Sequence, residues 1–224
     1  PAEPEDVDVR GILKGLHHVS TGEGEGPRVQ LLASGVGYPW IDKAARLLRE
    51  DWGVIADTWS VTSWNELARD AIAAEEWNLM HPDQEKRTAY VTDRLKDAPG
   101  PVVAVSDFMT AVPMQIAKWV PGDYRVLGTD GFGFADTRPA ARRFFHVDAE
   151  SVVVSTLQAL ADAGDYPREK VTHAFQAYAI DDPTAVKEVQ QEGGDPRSRS
   201  DPASPGVPEQ QGARNERPAW AKAG

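Results

Sequence analysis

Gly35-Val-Gly37 lies between an apolar run and the start of a helical pattern, and Asp57 follows twenty residues later. A glycine turn at a strand end, with an acid on the next strand, is the arrangement that holds a dinucleotide. Phosphates sit on the helix N-terminus and a ribose on the acid. Here Trp40 occupies the third glycine position, and its ring obstructs the close helix–strand approach that glycine permits. A dinucleotide is therefore not the expected ligand. A speculative anion-binding role remains for Gly35 and Gly37. The plainer alternative is the tight turn that any α/β domain needs.

Other candidates fail on spacing. The five histidines (His17, His18, His81, His146, His173) form no H-x-x-x-H pair, and with no cysteine in the chain a zinc site is not expected. His81, before Pro82, reads as a turn or packed surface residue rather than a base. Ser34 lacks the flanking glycines of a nucleophile elbow. Asp57, Asp107 and the Asp130 of Gly128-Thr-Asp-Gly-Phe-Gly133 fall near strand ends. Three carboxylates on the carboxyl edge of a sheet could form a site, although loop carboxylates commonly cap helices. No catalytic, cofactor-binding or metal-ligating residue is assigned from these patterns.

The elements that would position these residues alternate. Val29–Ser34, Val54–Ser60, Pro101–Ser106 and Tyr124–Thr129 are short apolar runs, as expected of strands buried on both faces. Between them, Ile41, Ala44, Ala45, Leu48 and Trp52 line one helix face, entered at Pro39 and closed by Gly53. Ser63 and Glu66 form a capping box ahead of Trp64, Leu67, Ala71 and Ala74. Further helices are expected around Tyr90–Leu95, Met109–Trp119, Ala140–Phe145, Ala149–Ala163 (capped by Asp148, ended by Gly164) and Arg168–Tyr178. This predicts an α/β fold, a mostly parallel sheet with helices on both faces. Val147 and its neighbours are a candidate for a fifth strand.

Composition divides the 224 residues into three zones. Residues 1–28, rich in Glu, Gly and Pro, read as a lead-in arm or linker. Residues 29–182 hold the apolar periodicity and constitute the expected domain. Residues 183–224 are a Pro/Gly/Gln-rich tail, expected to be disordered, with six cations against six acids. The whole formal charge of −11 thus sits before the tail, which argues against a nucleic-acid partner. No apolar run is long enough for a membrane span, and the acidic N-terminus is unlike a signal peptide, so a cytoplasmic protein is expected. Six of the seven tryptophans (Trp40, Trp52, Trp59, Trp64, Trp77, Trp119) fall in the domain. They are either core or a large face buried against another domain or subunit.

Three long stretches carry a resemblance: Asp57-Thr-Trp-Ser-Val-Thr-Ser-Trp-Asn-Glu-Leu-Ala-Arg-Asp70, Glu76-Trp-Asn-Leu-Met-His-Pro82 and Asp123-Tyr-Arg-Val-Leu-Gly-Thr-Asp-Gly-Phe-Gly133. In matching order over about residues 7–182, the chain resembles the carboxyl-terminal domain of the homodimeric, thiamine-diphosphate-dependent pyruvate dehydrogenases, which are transketolase-like. The resemblance implies a parent enzyme that decarboxylates pyruvate and passes the acetyl unit to the lipoyl group of dihydrolipoyl acetyltransferase, on the route from glycolysis to acetyl-CoA. It implies thiamine diphosphate and magnesium held by other domains at a subunit interface, and a carboxyl-terminal domain that serves architecture and dimer contacts. The family's cofactor signature is Gly-Asp-Gly followed at a set distance by Asn. Thr129-Asp-Gly131 only approximates its start, and the next Asn after Asn78 is Asn215. No cofactor is therefore expected on this chain alone, which reads as a fragment inactive without the remaining domains and a second subunit. The alternative is a non-catalytic anion-binding or docking module of the same fold.

Overall fold

The computed structural model describes residues 7–133 and 135–183. Five strands form one sheet in the order β1-β3-β2-β4-β5. They are β1 (Leu16–Ser20), β2 (Arg28–Ser34), β3 (Ile55–Val61), β4 (Val102–Val105) and β5 (Tyr124–Leu127). Strands β2 to β5 are mutually parallel, and β1 joins β3 antiparallel. The helices are α1 (Val9–Lys14), α2 (Tyr38–Trp52), α3 (Trp64–Met80), α4 (Tyr90–Leu95), α5 (Arg138–Phe144), α6 (Ala149–Ala163) and α7 (Arg168–Ala177).

The strand pattern explains the unbroken apolar runs. Along β2, Val29, Leu31 and Ala33 face a core shared with Ile41 and Leu48 of α2 and Val152, Leu157 and Leu160 of α6. Leu32 faces the opposite core, with Leu67 and Ala71 of α3, Val91 and Leu95 of α4, and Ile116. Both sides of the central strands are covered, so neither needs a polar face.

The helix ends are set by the residues that the sequence singled out. Ser63 Oγ accepts from the Glu66 amide at 3.1 Å, and Asp148 Oδ1 accepts from the Ser151 amide at 3.2 Å. Gly53 and Gly164 close α2 and α6 in the left-handed region, at φ 65° and 88°. Between β4 and β5, only Pro113–Trp119 coils, and as a 3-10 helix.

Two expectations are corrected. Residues 1–28, read as an arm, contain α1 and the fifth strand. Leu16 of β1 is fully buried against the α3 core, while the rest of the strand is half-buried or exposed. An edge strand covered at one end keeps polar residues such as His17 and His18, which hid it from an apolar-run search. Val147 is not in a strand. It is buried just before α6 as part of the core against α2. Residues 183–224 were read as a tail, and all but Pro183 lie outside the described residues.

Candidate functional site

In an open parallel sheet, ligands usually bind beyond the carboxyl ends of two neighbouring strands whose connections leave in opposite directions. Here those strands are β2, which connects toward β3, and β4, which connects toward β5. The glycine turn Gly35–Gly37 follows β2 and residues 106–112 follow β4. The two strand ends are joined by their side chains. Ser34 and Ser106 are buried, and their hydroxyls share a 3.0 Å hydrogen bond across the two strand ends. A Cβ placed on Gly37 would stand 3.4 Å from the Val105 carbonyl.

Gly35 needs its freedom, since its φ is 49°. The α2 N-terminus behind it is poor in free donors. The Tyr38 amide is donated to the Gly35 carbonyl, and Pro39 has no N–H. Arg142 lies nearby, with its guanidinium 5.1 Å from the Trp40 ring centroid, and burial and the neighbouring Arg138 push its pKa down.

The three carboxylates do not converge. Asp57 is the third residue of β3 rather than its last. Its Oδ1 accepts from the Gly22 amide at 2.9 Å and from Arg28 at 2.7 Å, and its Oδ2 accepts from Gln30 Nε2 at 3.1 Å. Gln30 Oε1 in turn accepts from Trp59 Nε1 at 2.8 Å. This is a closed network that ties the 20–28 loop to the sheet. Asp130 is spent on Thr110, accepting from its amide at 2.9 Å and its hydroxyl at 2.6 Å. Asp107 offers its carbonyl to the Thr129 hydroxyl at 2.7 Å. Among the described residues, no group of three or more His, Cys, Asp or Glu is placed to hold a metal ion.

The histidines are equally dispersed. His18 and His173 pack edge-on against Trp59 and Trp52. His81 stacks on Trp77 and donates Nδ1–H to the Trp77 carbonyl at 2.8 Å. His17 has a buried Nδ1 with no partner, and burial pushes its pKa below the ordinary value.

The tryptophans serve as core and cover. Trp59 and Trp64 are buried, and Trp40, Trp52 and Trp119 pack partly buried on the two cores. Trp77 carries a stacked imidazole, and the Arg87 guanidinium lies 4.0 Å from its ring centroid. The exposed apolar side chains are instead Phe, Met, Leu, Ile and Val. Several of them, Val36, Phe108, Met109 and Phe132, fall on the loops at the carboxyl edge, which the sequence reading did not single out. The available signal was their position, apolar residues directly after strand ends.

The two described cavities lie at the other end of the sheet. One, of about 230 Å³, is lined by Thr21, Arg46, Arg49 and Ile55 among others. The second, of about 420 Å³, is lined by Pro27, Pro99, Leu160 and neighbours. Opposed charges line the first, with Glu23 and Asp42 against the two arginines.

Comparison with known proteins agrees with this architecture. Residues 15–148 match the model of the transketolase-like TK C-terminal domain. The chain is 55% identical over 187 residues to the pyruvate dehydrogenase E1 component of Mycolicibacterium smegmatis, covering 83% of this chain and 20% of that protein. It is 52% identical over 190 residues to the E1 component of Mycobacterium tuberculosis (84% and 20%) and 43% identical over 182 residues to that of Escherichia coli K12 (81% and 20%). The chain thus spans about a fifth of the length of the curated relatives it matches. A solved transketolase complex with sedoheptulose-7-phosphate from Pichia stipitis is similar at 18% identity and TM-score 0.47, over 73% of this chain and 20% of that one. With more than half of its length matched by the family model, the chain belongs to the transketolase-like C-terminal domain family.

Proposed function

We propose that this chain is the carboxyl-terminal domain of a thiamine-diphosphate-dependent pyruvate dehydrogenase. In that role it supports the assembly of a homodimeric, cytoplasmic enzyme. Decarboxylation of pyruvate and acetyl transfer to the lipoyl group of the partner acyltransferase occur on other domains. The observation that carries this reading is the 55% identity over 187 residues to a pyruvate dehydrogenase E1 component. The site chemistry supports the division of labour. Asp57 and Asp130 are committed to internal hydrogen bonds, and Ser34 and Ser106 at the ends of β2 and β4 are bonded to each other. These residues do not suit thiamine diphosphate with magnesium, so no reaction step is assigned to them.

The test is a one-piece hybrid: the Mycolicibacterium smegmatis relative with its matching segment replaced by this chain. Pyruvate decarboxylation is followed with thiamine diphosphate, magnesium and an artificial electron acceptor. The expected result is activity within about tenfold of the parent, and none from this chain alone. A folded but inactive hybrid, or activity from the chain alone, would overturn the reading.

A further inference from the structure

Among the exposed large apolar residues, Phe132 is 91% exposed, Val36 59%, Met109 55% and Phe108 54%. All four follow the carboxyl ends of parallel strands. Ala33 of β2 pairs with Val105 of β4, and Val36 and Phe108 each stand three residues beyond that pair. Phe132 stands five residues beyond Leu127, the β5 partner of Val105. One edge of the sheet therefore presents an apolar surface assembled from three separate loops.

The loops after β4 and β5 are laced together. The Thr129 amide donates to the Phe108 carbonyl at 2.9 Å, Thr129 Oγ1 donates to the Asp107 carbonyl, and Asp130 grips Thr110 through both carboxylate oxygens. Gly128 makes the crossing possible, since a Cβ there would fall 2.7 Å from both the Phe108 carbonyl oxygen and the Thr110 nitrogen. Fixed loops lose little conformational freedom when covered, which favours a binding surface over a mobile lid. The Ser34–Ser106 bond ties the ends of β2 and β4 together, and the two described cavities lie at the other end of the sheet, so the edge suits a flat partner rather than a small molecule.

We infer that this carboxyl-edge surface, built from Val36, Phe108, Met109 and Phe132, is the face on which the rest of the longer polypeptide packs. The inference rests on the reading under Proposed function and names the contact it requires. Its occupant follows from length: the matched relatives carry four fifths of their chain outside this segment. Exposed phenylalanine and methionine gathered on one edge of the sheet mark a surface that water should not meet in the finished protein.

The chain contains no cysteine, so single thiols can report on the surface. Phe132→Cys, Met109→Cys and Leu79→Cys are made in this chain and in the one-piece hybrid, and labelling by a maleimide is timed by mass spectrometry of the modified peptide. Leu79, 79% exposed at the far end of α3, is the contrast. In the free chain all three should label quickly. In the hybrid, labelling at 132 and 109 should slow at least tenfold. Equal rates in chain and hybrid would overturn the inference, as would slowing at 79 alone. Slow labelling at 132 and 109 already in the free chain, growing with concentration, would overturn it in favour of a second copy of this chain. The hybrid's activity is read separately, so an accessible edge on an active hybrid sinks this inference and leaves the functional reading standing.

Discussion

Arg143 is the most deeply buried charge described, 3% exposed, and replacing it tests whether the ends of α5, α6 and α7 are held as one unit. Its Nε donates to Asp148 Oδ2 at 2.6 Å, and its Nη1 donates to the carbonyls of Tyr178 and Ala179 at 2.7 and 3.2 Å. Glu150 lies 3.6 Å from its other nitrogen but has Lys43 as a partner at 2.6 Å. Arg143→Ala would leave Asp148, whose side chain is 11% exposed, without its counterion, and would unpair two carbonyls. Removing one partner of a buried ion pair costs about 3–5 kcal/mol. Asp148 still accepts from the Ser151 amide, so the lower half of that range, about 3–4 kcal/mol, is expected. For a domain of this size that lowers Tm by about 6–16 °C. Urea and thermal denaturation followed by circular dichroism would measure it. Adding Asp148→Asn and Arg143→Ala/Asp148→Asn completes a double-mutant cycle, with coupling expected near 2 kcal/mol. A loss below about 1 kcal/mol for Arg143→Ala, or additive single effects, would refute the reasoning.

Ser63→Ala should cost about 1 kcal/mol by uncapping α3, measured by urea denaturation. Gly100→Ala should be far worse and show as insoluble or unfolded protein. A Cβ there would sit 1.7 Å from the Arg28 carbonyl, and φ is +81°. Tyr124→Phe should lose about 1 kcal/mol, since its hydroxyl donates to the Pro113 carbonyl at 3.0 Å. Burial pushes that phenol up, so ultraviolet titration of the folded protein should leave it neutral throughout. Burial, opposed by Asp8, sets the folded pKa of His17 below its unfolded one. Its contribution is complete above the unfolded value of 6.5 and fades as pH falls through the folded value. Wild type should therefore lose more stability between neutral and mildly acidic pH than His17→Gln, and parallel curves would reject the assignment. Millimolar phosphate should leave Tm unchanged, because Tyr38 and Pro39 offer α2 few free donors. A clear rise would point to an anion at Gly35 and Gly37.

Local rules carried most of the fold. The runs at β2 to β5 needed only their apolar continuity, and the caps at Ser63, Asp148, Gly53 and Gly164 were visible as single residues with known roles. β1 was not visible because an edge strand sets its side chains by what covers it, and His17 and His18 carry no period. The strand holding Asp57 was legible to within one residue, so Asp57 was already mid-strand in the sequence; what the sequence could not show was its partners, Arg28, Gln30 and the Gly22 amide, which lie on another strand and its loop. Arg143 gave no signal, since a charged residue on a short helix is ordinarily exposed, and its burial depends on Asp148 and the turn after α7. The carboxyl-edge surface failed to stand out for the same reason. Its members lie on three loops, and only the strand order makes them neighbours.

The two outer strands bear on how this protein avoids clumping. β1 breaks register with β3 between His18 and Ser20, and such a kink spoils the straight row of amides that a stray strand would need. At the other border, β5 is four residues long, and its Arg125 is clamped by Asp123 and Asp162 at 2.9 and 2.8 Å. A short, charged border is a poor template for fibril growth or for swapping strands between molecules. Since neither border of the sheet invites another chain, contacts between molecules are channelled to loops and helices, where side-chain shape rather than backbone hydrogen bonding selects the partner.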